Sequence, residues 1–532
     1  MSDTPQRKLV LTGFMGTGKT TLGKLVAEKV GVPFVDLDDV IVQKVGLSIP
    51  EIFEKYGEAG FRAWESAVCA EVAADPRVMV VATGGGALLN STNQEVFADE
   101  IVMCLNASPE IIYERIKDDV NRPLLAVEDP LARISELLKK REPIYKSFRY
   151  QLFNTKSGAE SQVWMVETIL SFWIPDSEIR KKHLMVRSPE GHYPVYIQNN
   201  AHLNEKSDFI MDCYLNYFEC TKVVVADTNV APIYGEQLIP QLFRSNTAHL
   251  VVIPAGEEYK NLDTVKFLYD EFARLGLDRH GVVIALGGGV VGDTVGFAAA
   301  TYMRGVKLVQ IPTTLLAMVD SSVGGKVGVD IPQGKNLVGA FKQPDLVIID
   351  PEVLKTLPPE EMSAGMAEVI KHGLIANPAL LDEDMPLVEK IKAAVQVKID
   401  IVQRDPYEQG ERAHLNLGHT FAHAIEQVSG YAWRHGFAVG VGLIGAAMLS
   451  QKLGYLDGDD VGFIEHKVKS AGLPIRYQGL SPEALWEAMK LDKKWRGGRS
   501  HFVILKGIGN PAVVSDVPRE TVLEILEMLR DG

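Results

Sequence analysis

A glycine-rich segment near the start of the chain limits the folds that its first part can adopt. The sequence GFMGTGKT at residues 13–20 follows a short apolar run, residues 8–12, and precedes a helical pattern over residues 21–30. This is the GxxxxGK[ST] loop in the strand–loop–helix order that the motif requires. The backbone N–H groups of such a loop cradle phosphates, while Lys19 reaches the outer phosphates and the Thr20 hydroxyl binds Mg²⁺. The segment predicts an α/β domain that binds a nucleoside triphosphate; an ordinary glycine-rich turn is the alternative.

Two carboxylates follow the next predicted strand. Asp36 and Asp38 belong to FVDLDD at residues 34–39. Alternation along a strand places both side chains on one side at its carboxyl edge, where α/β sheets bind ligands. We predict that one carboxylate serves a metal and the other accepts hydrogen bonds from a hydroxylated substrate; a helix cap is the alternative for one of them.

Arginines and glycines suggest an anionic acceptor. Arg62 and Glu65, three residues apart, form either a helix ion pair or a substrate grip in which Glu65 orients Arg62 toward a carboxylate. A third strand, residues 78–83, ends in three glycines that allow close approach of a ligand to the backbone. The charge-rich, proline-bounded segment at residues 117–128 contains Arg122 and is predicted to be a lid over ATP.

Together these segments resemble shikimate kinase over residues 1–173. The resemblance implies transfer of the γ-phosphate of ATP, with Mg²⁺, to the 3-hydroxyl of shikimate. It implies ATP and Mg²⁺ contacts from Gly16, Thr17, Gly18, Lys19, Thr20, Thr21, Asp36, Arg115 and Arg122, and shikimate contacts from Asp38, Arg62, Gly84, Gly85, Gly86 and Arg141. Lys19, Asp38 and Arg122 would be the catalytic residues. Another small-molecule P-loop kinase, such as a gluconate kinase, is the alternative, although the full set of motifs favours shikimate.

A second nucleotide signal follows a predicted linker at residues 174–182. The apolar strand at residues 282–286 enters GGGVVGD at 287–293, the GxGxxG turn that places a dinucleotide pyrophosphate on a helix N-terminus. Tight packing without a ligand is the alternative, because residues 298–319 contain no acidic residue to contact a ribose; Asp227 or Glu257 would have to do so. Lys326 and Lys335, near glycine-rich turns, indicate a site for a phosphorylated substrate, or else are solvated lysines.

The segment LGHTFAHAIE at residues 417–426 predicts a helix with polar groups on one face. His419, His423 and Glu426 stand at i, i+4 and i+7. Two histidines one turn apart have the spacing of a helical zinc site, and an exposed histidine pair is the alternative. With Glu368 upstream and His435 downstream, the chain offers two histidines and a carboxylate with one position left open, the ligand set of a catalytic zinc. Spacing alone would make His423 a ligand as well.

Residues 183–532 resemble 3-dehydroquinate synthase. The resemblance implies that NAD⁺ and Zn²⁺, with Co²⁺ as the alternative, serve to convert 3-deoxy-D-arabino-heptulosonate 7-phosphate into 3-dehydroquinate and phosphate. It assigns Glu368, His419 and His435 to the metal, and makes His423 a substrate and proton-transfer residue. It implies NAD contacts from Asp227, Asn229, Glu257, Lys260, Gly289, Val290, Val291, Asp293, Thr313, Thr314, Lys326, Lys335 and Thr356. It implies substrate contacts from Arg304, Asp320, Lys326, Asn336, Lys371, Arg412, Asn416, His423 and Lys493, and catalytic roles for Lys326, Glu368, Lys371, Arg412, Asn416 and His423.

We therefore expect a bifunctional α/β protein. A P-loop kinase domain with a parallel sheet and helices on both faces would be followed by a Rossmann-like NAD-binding subdomain, residues 183–355, and by a mostly α-helical metal- and substrate-binding subdomain, residues 356–532. For the second half, a metal-dependent polyol dehydrogenase that releases NADH or a related sugar-phosphate cyclase is an alternative. From another class, one half could be a degenerate binding module.

Composition restricts the partners and the compartment. A net charge of −14 argues against general nucleic-acid binding. The four cysteines contain no CxxC pair, which suits a reducing cytosol, and the longest uncharged runs are too short and too glycine-rich for a membrane span. We expect a cytoplasmic enzyme whose partners are shikimate, ATP and a sugar phosphate, without nucleic acid or membrane. The family resemblance implies a homodimer through the synthase half.

Overall fold

The structure, a computed structural model of the 532-residue chain, describes most of its residues. The described residues are 7–117, 129–148, 150–153, 165, 166, 169, 173, 184–188, 191–197, 220–236, 248–491 and 501–531. Among these residues, two compact units are separated in sequence between Trp173 and Leu184. The linker predicted at residues 174–182 lies outside the described residues.

The first unit is built on a parallel sheet of five strands. The strands are β1 (Leu9–Thr12), β2 (Phe34–Asp36), β3 (Val80–Ala82), β4 (Ile101–Asn106) and β5 (Tyr150–Phe153). They lie in the order β2-β3-β1-β4-β5, so that Leu11 of the central strand pairs with Ala82 on one side and Met103 on the other. The loop after β1 therefore leaves the middle of the carboxyl edge, where α/β sheets bind their ligands.

Helices cover both faces of this sheet. They are α1 (Lys19–Val30), α2 (Leu37–Val45), α3 (Ile49–Ala74), α4 (Ser91–Glu95), α5 (Pro109–Ile116) and α6 (Pro130–Ser147). Leu9 and Leu11 pack in the cluster that contains Leu22 of α1, whereas Val10 packs in the cluster that contains Ile52 of α3. Because successive residues of β1 point to opposite faces and both faces are covered, the strand is apolar along its length.

The second unit combines a large sheet with two hairpins. Its strands are β6 (Leu184–Ser188), β7 (Gly191–Ile197), β8 (Lys222–Asp227), β9 (Ala248–Ile253), β10 (Val282–Gly287), β11 (Lys307–Pro312), β12 (Lys326–Ile331), β13 (Gly334–Phe341), β14 (Leu346–Ile349), β15 (His501–Leu505) and β16 (Pro511–Ser515). The seven-stranded sheet has the order β6-β7-β14-β11-β10-β8-β9, and all its neighbours are parallel except β6 and β7. The pairs β12–β13 and β15–β16 are antiparallel.

The helices of this unit lie mainly after β14. They are α7 (Leu262–Arg274), α8 (Gly289–Thr301), α9 (Pro359–Ile375), α10 (Leu387–Arg404), α11 (His419–Val428), α12 (His435–Lys452), α13 (Gly458–Ser470), α14 (Pro482–Leu491) and α15 (Arg519–Leu529). Helix α12 is buried along most of its length and packs against α9, α11, α13 and α15. A Cβ on Gly418 would lie 2.8 Å from the backbone nitrogen of Leu443, so the start of α11 rests directly on α12. The first residues of the two helices, His419 and His435, also lie close together, with ring centroids 5.3 Å apart.

The predicted architecture is confirmed in its main features. The sheet of the first unit is parallel and that of the second is parallel except for β6, and the part after β14 is mostly helical, with the hairpin β15–β16 as an addition that the sequence did not indicate. Helix α1 begins at Lys19 rather than at residue 21, and β3 is shorter than predicted. Among the described residues, each helix is too short or too polar to cross a membrane.

Candidate active sites

The glycine-rich loop after β1 folds around its own lysine. Gly16 and Gly18 have φ angles of 75° and 96°, a left-handed conformation that side chains disfavour. The Lys19 ammonium donates to the carbonyl oxygens of Gly13 and Phe14, each at 2.9 Å. These contacts hold a buried positive charge at the mouth of the loop, where phosphate oxygens would replace the carbonyls.

Asp36 lies next to the last residue of this loop. The Thr20 hydroxyl donates to Oδ2 of Asp36 at 2.7 Å, while Oδ1 accepts from the backbone N–H of Asp38 at 3.1 Å. Strand β2 ends at Asp36, and Asp38 belongs to the first turn of α2. The expectation that strand alternation aligns the two carboxylates is therefore wrong, because a helix starts between them. Asp36 caps helix α2, which was the alternative interpretation, and it also contacts Thr20, the predicted Mg²⁺ ligand.

A second group of side chains surrounds the glycines after β3. Arg62 donates to Oε2 of Glu65 at 2.7 Å, and the Glu65 side chain is only 2% exposed. A Cβ on Gly84 would lie 2.8 Å from Oδ1 of Asp38 and 3.0 Å from Oε1 of Glu65, and a Cβ on Gly86 would lie 2.6 Å from Arg62. Burial raises the pKa of Glu65, and the Arg62 guanidinium opposes this shift. The absence of side chains at the glycines lets Asp38, Glu65 and Arg62 pack directly against the backbone of this loop.

Arginines reach the same loops from α5 and α6. Arg141 donates to the carbonyl oxygen of Gly85 at 3.2 Å, and the Tyr145 hydroxyl donates to the same oxygen at 2.6 Å. Arg115 donates to the carbonyl oxygen of Gly16 at 3.2 Å. Tyr145 had no role in the sequence-based prediction, although it lies one helical turn from Arg141. Arg122 lies outside the described residues.

The GxGxxG segment has the strand–turn–helix context that a dinucleotide site requires. Strand β10 ends at Gly287 and α8 begins at Gly289. The side-chain amide of Gln310 donates to the carbonyl oxygen of Gly292 at 3.1 Å, and a Cβ on Gly292 would lie 3.0 Å from the Gln310 side chain. Gly292 thus lets the helix approach β11 closely, which is its part in a dinucleotide turn. Val290 and Val291 occupy the first turn of α8.

Most other residues predicted to contact NAD line the carboxyl edge of the same sheet. Asp227 ends β8, and its Oδ1 accepts the N–H groups of Asn229 and Val230 at 2.9 Å. Lys260, which follows β9, forms a buried ion pair at 2.6 Å with Asp293 of α8. The remaining predicted residues are Glu257 after β9, Thr313 and Thr314 after β11, Thr356 after β14, and Lys326 and Lys335 on the hairpin β12–β13. Glu257, Thr313, Thr314 and Thr356 follow strands of the large sheet at its carboxyl edge, whereas Lys326 and Lys335 come from the separate hairpin.

Three residues could hold a metal ion where α9, α11 and α12 meet. The Nε2 atoms of His419 and His435 lie 3.6 and 3.7 Å from Oε1 of Glu368. All three ligand atoms lie within 4.8 Å of one another. Oε1 of Glu368 is buried and accepts no hydrogen bond from the described residues. Two imidazole nitrogens facing a buried carboxylate oxygen without a donor are the ligand set of Zn²⁺ or a similar cation, so the residues fit the metal that the sequence predicted.

The electrostatics of this group favour a charged carboxylate. Burial alone would raise the pKa of Glu368, but the ammonium of Lys371, which is in contact with it, and the nearby imidazoles hold the pKa well below its usual value. His423 has its ring centroid 5.6 Å from that of His419 and is not among the clustered ligand atoms. The spacing argument that added His423 to the ligands is therefore not supported, because the ligand atoms that lie within reach of one another belong to Glu368, His419 and His435.

Cationic side chains collect beside the metal group. Lys398 contacts Asp320, and both are largely buried. The Arg412 side chain donates to the carbonyl oxygens of Pro406 and Gly324. Burial lowers the pKa of Lys398 and of Arg412, as expected for cations held in a protein interior. Two buried cations together are suited to an anionic substrate.

Lys326 and Asn416 share one carboxylate. Glu408 contacts the Lys326 ammonium and accepts from the Asn416 amide at 3.0 Å. Glu408 adopts φ of 57°, which is uncommon for a residue with a side chain. Sequence reasoning gave no role to Glu408 or Lys398, and it singled out Glu426 by its helical spacing without assigning it one.

The other predicted substrate residues lie less centrally. Asn336 accommodates φ of 52° in β13, and its N–H donates to Asp330 at 2.7 Å. Arg304 is exposed after α8, and among the described residues no contact joins it to the metal group. Lys493 lies outside the described residues.

Three sequence families match the chain. Residues 15–172 match the family described as shikimate kinase, residues 250–364 match 3-dehydroquinate synthase N-terminal, and residues 365–495 match 3-dehydroquinate synthase C-terminal. The order of the matches follows the two compact units.

Curated relatives and a solved structure are similar to the second half of the chain. A 3-dehydroquinate synthase of Nitrosospira multiformis is 43% identical over 349 residues, which are 63% of this chain and 94% of the relative. The 3-dehydroquinate synthase of Xanthomonas campestris pv. campestris is 49% identical over 326 residues, which are 57% of this chain and 88% of the relative. A solved 2-epi-5-epi-valiolone synthase from Streptomyces hygroscopicus subsp. jinggangensis, with NAD⁺ and Zn²⁺ bound, is 29% identical with a TM-score of 0.58, covering 63% of this chain and 96% of its own. The chain thus belongs to the 3-dehydroquinate synthase family and carries a shikimate kinase domain fused ahead of the synthase.

Proposed function

We propose that the two groups of residues carry two separate activities of the shikimate pathway. The first unit transfers a phosphoryl group from ATP to shikimate, giving shikimate 3-phosphate. The second unit converts 3-deoxy-D-arabino-heptulosonate 7-phosphate into 3-dehydroquinate and phosphate. The observation that carries the proposal is the cluster of Glu368, His419 and His435 in the same compact unit as the dinucleotide turn, within a chain that also has a complete phosphate loop.

In the kinase half, side chains that now contact other protein groups would contact the substrates instead. Lys19 would leave the carbonyls of its loop and neutralise the outer phosphates, and Asp38 would accept the proton of the 3-hydroxyl. Arg62, held by Glu65, would bind the shikimate carboxylate. Thr20 and Asp36 would hold Mg²⁺, which would offset the charge of the phosphates. The further contacts we propose are Gly16, Thr17, Gly18, Thr20, Thr21, Asp36, Arg115 and Arg122 for ATP and Mg²⁺, and Gly84, Gly85, Gly86 and Arg141 for shikimate.

In the synthase half, Glu368, His419 and His435 would hold Zn²⁺ or Co²⁺. A cation held there would lower the energetic cost of an alkoxide, and a nicotinamide held at the dinucleotide turn would supply reversible hydride transfer without net formation of NADH. Lys371 keeps Glu368 ionised and would also meet the substrate. His423, beside the cation site, would move a proton.

Two anion sites would orient the substrate of the synthase. The buried cations Lys398 and Arg412 would bind the substrate carboxylate, which must lose its hydration water to enter this site. Lys326 and Asn416, which Glu408 joins in this structure, suit a phosphate. Holding both ends of the substrate selects the conformer in which an internal ring closure occurs. Arg304, Asp320, Asn336 and Lys493 are the further substrate contacts we propose.

The first experiment measures phosphate release from the sugar phosphate with catalytic NAD⁺, before and after chelation. Activity that stops on chelation and returns with Zn²⁺ or Co²⁺, without accumulation of NADH, supports the proposal. Net formation of NADH would instead favour the polyol dehydrogenase. A different carbocyclic product would favour the related sugar-phosphate cyclase. His419→Gln should abolish the activity, whereas His466→Gln, at an exposed histidine of α13, serves as the matched control.

We also propose a homodimer formed through the synthase half and a cytoplasmic location. The dimer rests on the family resemblance, and light scattering of the purified chain tests it. The cytoplasmic location is supported by the free thiols of Cys69, Cys104 and Cys220. We place the domain boundaries at the linker 174–182 and near residue 355, which limited proteolysis would test.

A further inference from the structure

Glu426 contacts His435, the last in sequence of the three residues that could hold a metal. Its Oε2 is 3.3 Å from Nδ1 of His435, while Nε2 of the same ring faces Oε1 of Glu368 at 3.7 Å. The His435 imidazole is therefore held between two carboxylates, one at each nitrogen. If Nδ1–H donates to Glu426, the lone pair of Nε2 is directed to the position of the metal.

Two hydrogen bonds fix the backbone of α11 at Glu426. Its carbonyl oxygen accepts from the N–H of Tyr431 at 2.7 Å and from the Ser429 hydroxyl at 3.0 Å. Tyr431 takes a left-handed φ of 64° to complete the turn that ends α11. The position of Glu426 relative to α12 is thus set by a tight turn rather than by a flexible chain end.

Lys335 offsets the charge of the buried Glu426 carboxylate. The Glu426 side chain is 5% exposed, and a buried charge without a partner would be costly. The Lys335 ammonium lies 3.7 Å from Oε1 of Glu426 and 3.1 Å from Oε1 of Glu257, above the Tyr431 ring at 4.7 Å. Each oxygen of Glu426 thus has its own partner, Lys335 on one side and His435 on the other.

We propose that Glu426 is a positioning residue that fixes the orientation and tautomer of His435 for metal binding, and that Lys335 holds Glu426 in place. The inference rests on the metal centre proposed above. Partners of this kind, a carboxylate on the far nitrogen of a ligating histidine, make the ligand more basic and orient its ring. Glu426 touches neither the metal nor the reacting atoms.

The test measures metal affinity rather than turnover, in the substrate-free full-length protein. Zn²⁺ affinity is determined by competition with a chelator, and the d–d absorption of the Co²⁺ form reports the ligand geometry. Glu426→Gln keeps the size of the side chain but removes its charge, and we expect a loss of roughly 10- to 100-fold in affinity with an altered Co²⁺ spectrum. Glu361→Gln is the matched control, because Glu361 is a carboxylate 3.5 Å from Arg434, the residue before His435, and we expect no significant change.

The outcomes separate the inference from the proposed function. Wild-type protein that binds no metal would contradict the metal centre itself. Wild-type protein that binds metal, with Glu426→Gln equal to it, would overturn the positioning role alone. A loss of the same size in Glu361→Gln would also overturn it, since any nearby charge would then have the same effect.

A crystal structure of the zinc-loaded wild type tests the inference even if the variant does not fold. Nε2 of His435 on the metal, with Nδ1 at hydrogen-bond distance from Glu426, would support it. Nδ1 on the metal, or Glu426 turned away from the ring, would overturn it.

Discussion

The Thr20 hydroxyl and Oδ2 of Asp36, 2.7 Å apart, join the phosphate loop to the end of the neighbouring strand β2. Thr20→Ala and Asp36→Asn should each raise the Mg²⁺ concentration needed for half-maximal kinase rate. The expected change is roughly tenfold or more, because a hydrogen bond to a charged group contributes about 1.5–3 kcal/mol. The double variant should lose less than the sum of the single losses, since the two side chains share one interaction. Mg²⁺ titration of the shikimate-dependent rate measures this, and strict additivity would argue against a shared role.

The glycine after β3 that faces Arg62 should control binding of the acceptor. A Cβ at Gly86 would lie 2.6 Å from the guanidinium, so Gly86→Ala must displace Arg62. We expect a KM for shikimate at least several-fold higher and a KM for ATP close to that of the wild type. The control is Glu58→Gln, which removes the exposed partner of Arg62 at 3.4 Å and should change little. Equal increases in both KM values would indicate a general loss of structure.

A buried histidine should make the second unit sensitive to acid. His372 is fully buried, neither ring nitrogen has a hydrogen-bond partner among the described residues, and burial lowers its pKa to about 3. The unfolded chain takes up this proton near the ordinary pKa of about 6.5 and the folded chain does not. Keeping His372 neutral therefore costs no stability above a pH of about 6.5. As the pH falls from about 6.5 toward 3, the free energy of unfolding decreases by about 1.4 kcal/mol for each pH unit.

Replacing His372 should remove this dependence. We expect His372→Gln to show a smaller decrease in the free energy of unfolding between pH 7 and pH 5 than the wild type. Urea unfolding at several pH values measures it, with His466→Gln as the exposed control. Parallel curves for wild type and His372→Gln would show that another group causes the acid sensitivity.

Glu408 should compete with the substrate phosphate. Its carboxylate occupies Lys326 and Asn416, the side chains that we propose bind this group. An incoming phosphate must displace it, so Glu408→Gln should bind inorganic phosphate more tightly than the wild type does. Calorimetric titration of the two proteins with phosphate tests this expectation. Weaker binding by the variant would mean that Glu408 supports the anion site rather than filling it.

Nucleotide binding and metal retention should be coupled through Lys335. Its ammonium links Glu257, at the nucleotide edge of the sheet, with Glu426 beside the metal-site histidine. A bound dinucleotide that orders Glu257 should restrict this link and slow the loss of Zn²⁺ to a chelator. The effect should be smaller in Lys335→Met at saturating NAD⁺. By reciprocity, the metal should raise NAD⁺ affinity by the same factor in the wild type. Identical chelation rates with and without NAD⁺ would exclude the coupling.

The local motifs could be predicted because they depend on backbone geometry over a few residues. The phosphate loop and the turn at Gly287 need glycines at fixed offsets between a strand and a helix, and both occur as predicted. The prediction for Asp36 and Asp38 failed for a local reason too. A three-residue strand passes into a helix at Leu37, and the apolar pattern of so short a strand does not mark its end.

The sequence by itself identified a phosphate loop, a dinucleotide turn, and histidines and a carboxylate suited to a metal. Only the tertiary structure decided which of these residues meet. His419 and His423 are equally good candidates by helical spacing, but in the packed helices α9, α11 and α12 it is His419 whose ligand atom lies near those of Glu368 and His435. Glu426 likewise contacts His435 from α12 and Lys335 from the hairpin β12–β13. Side chains from distant segments are brought together by the packing of whole helices and strands, which local periodicity does not encode.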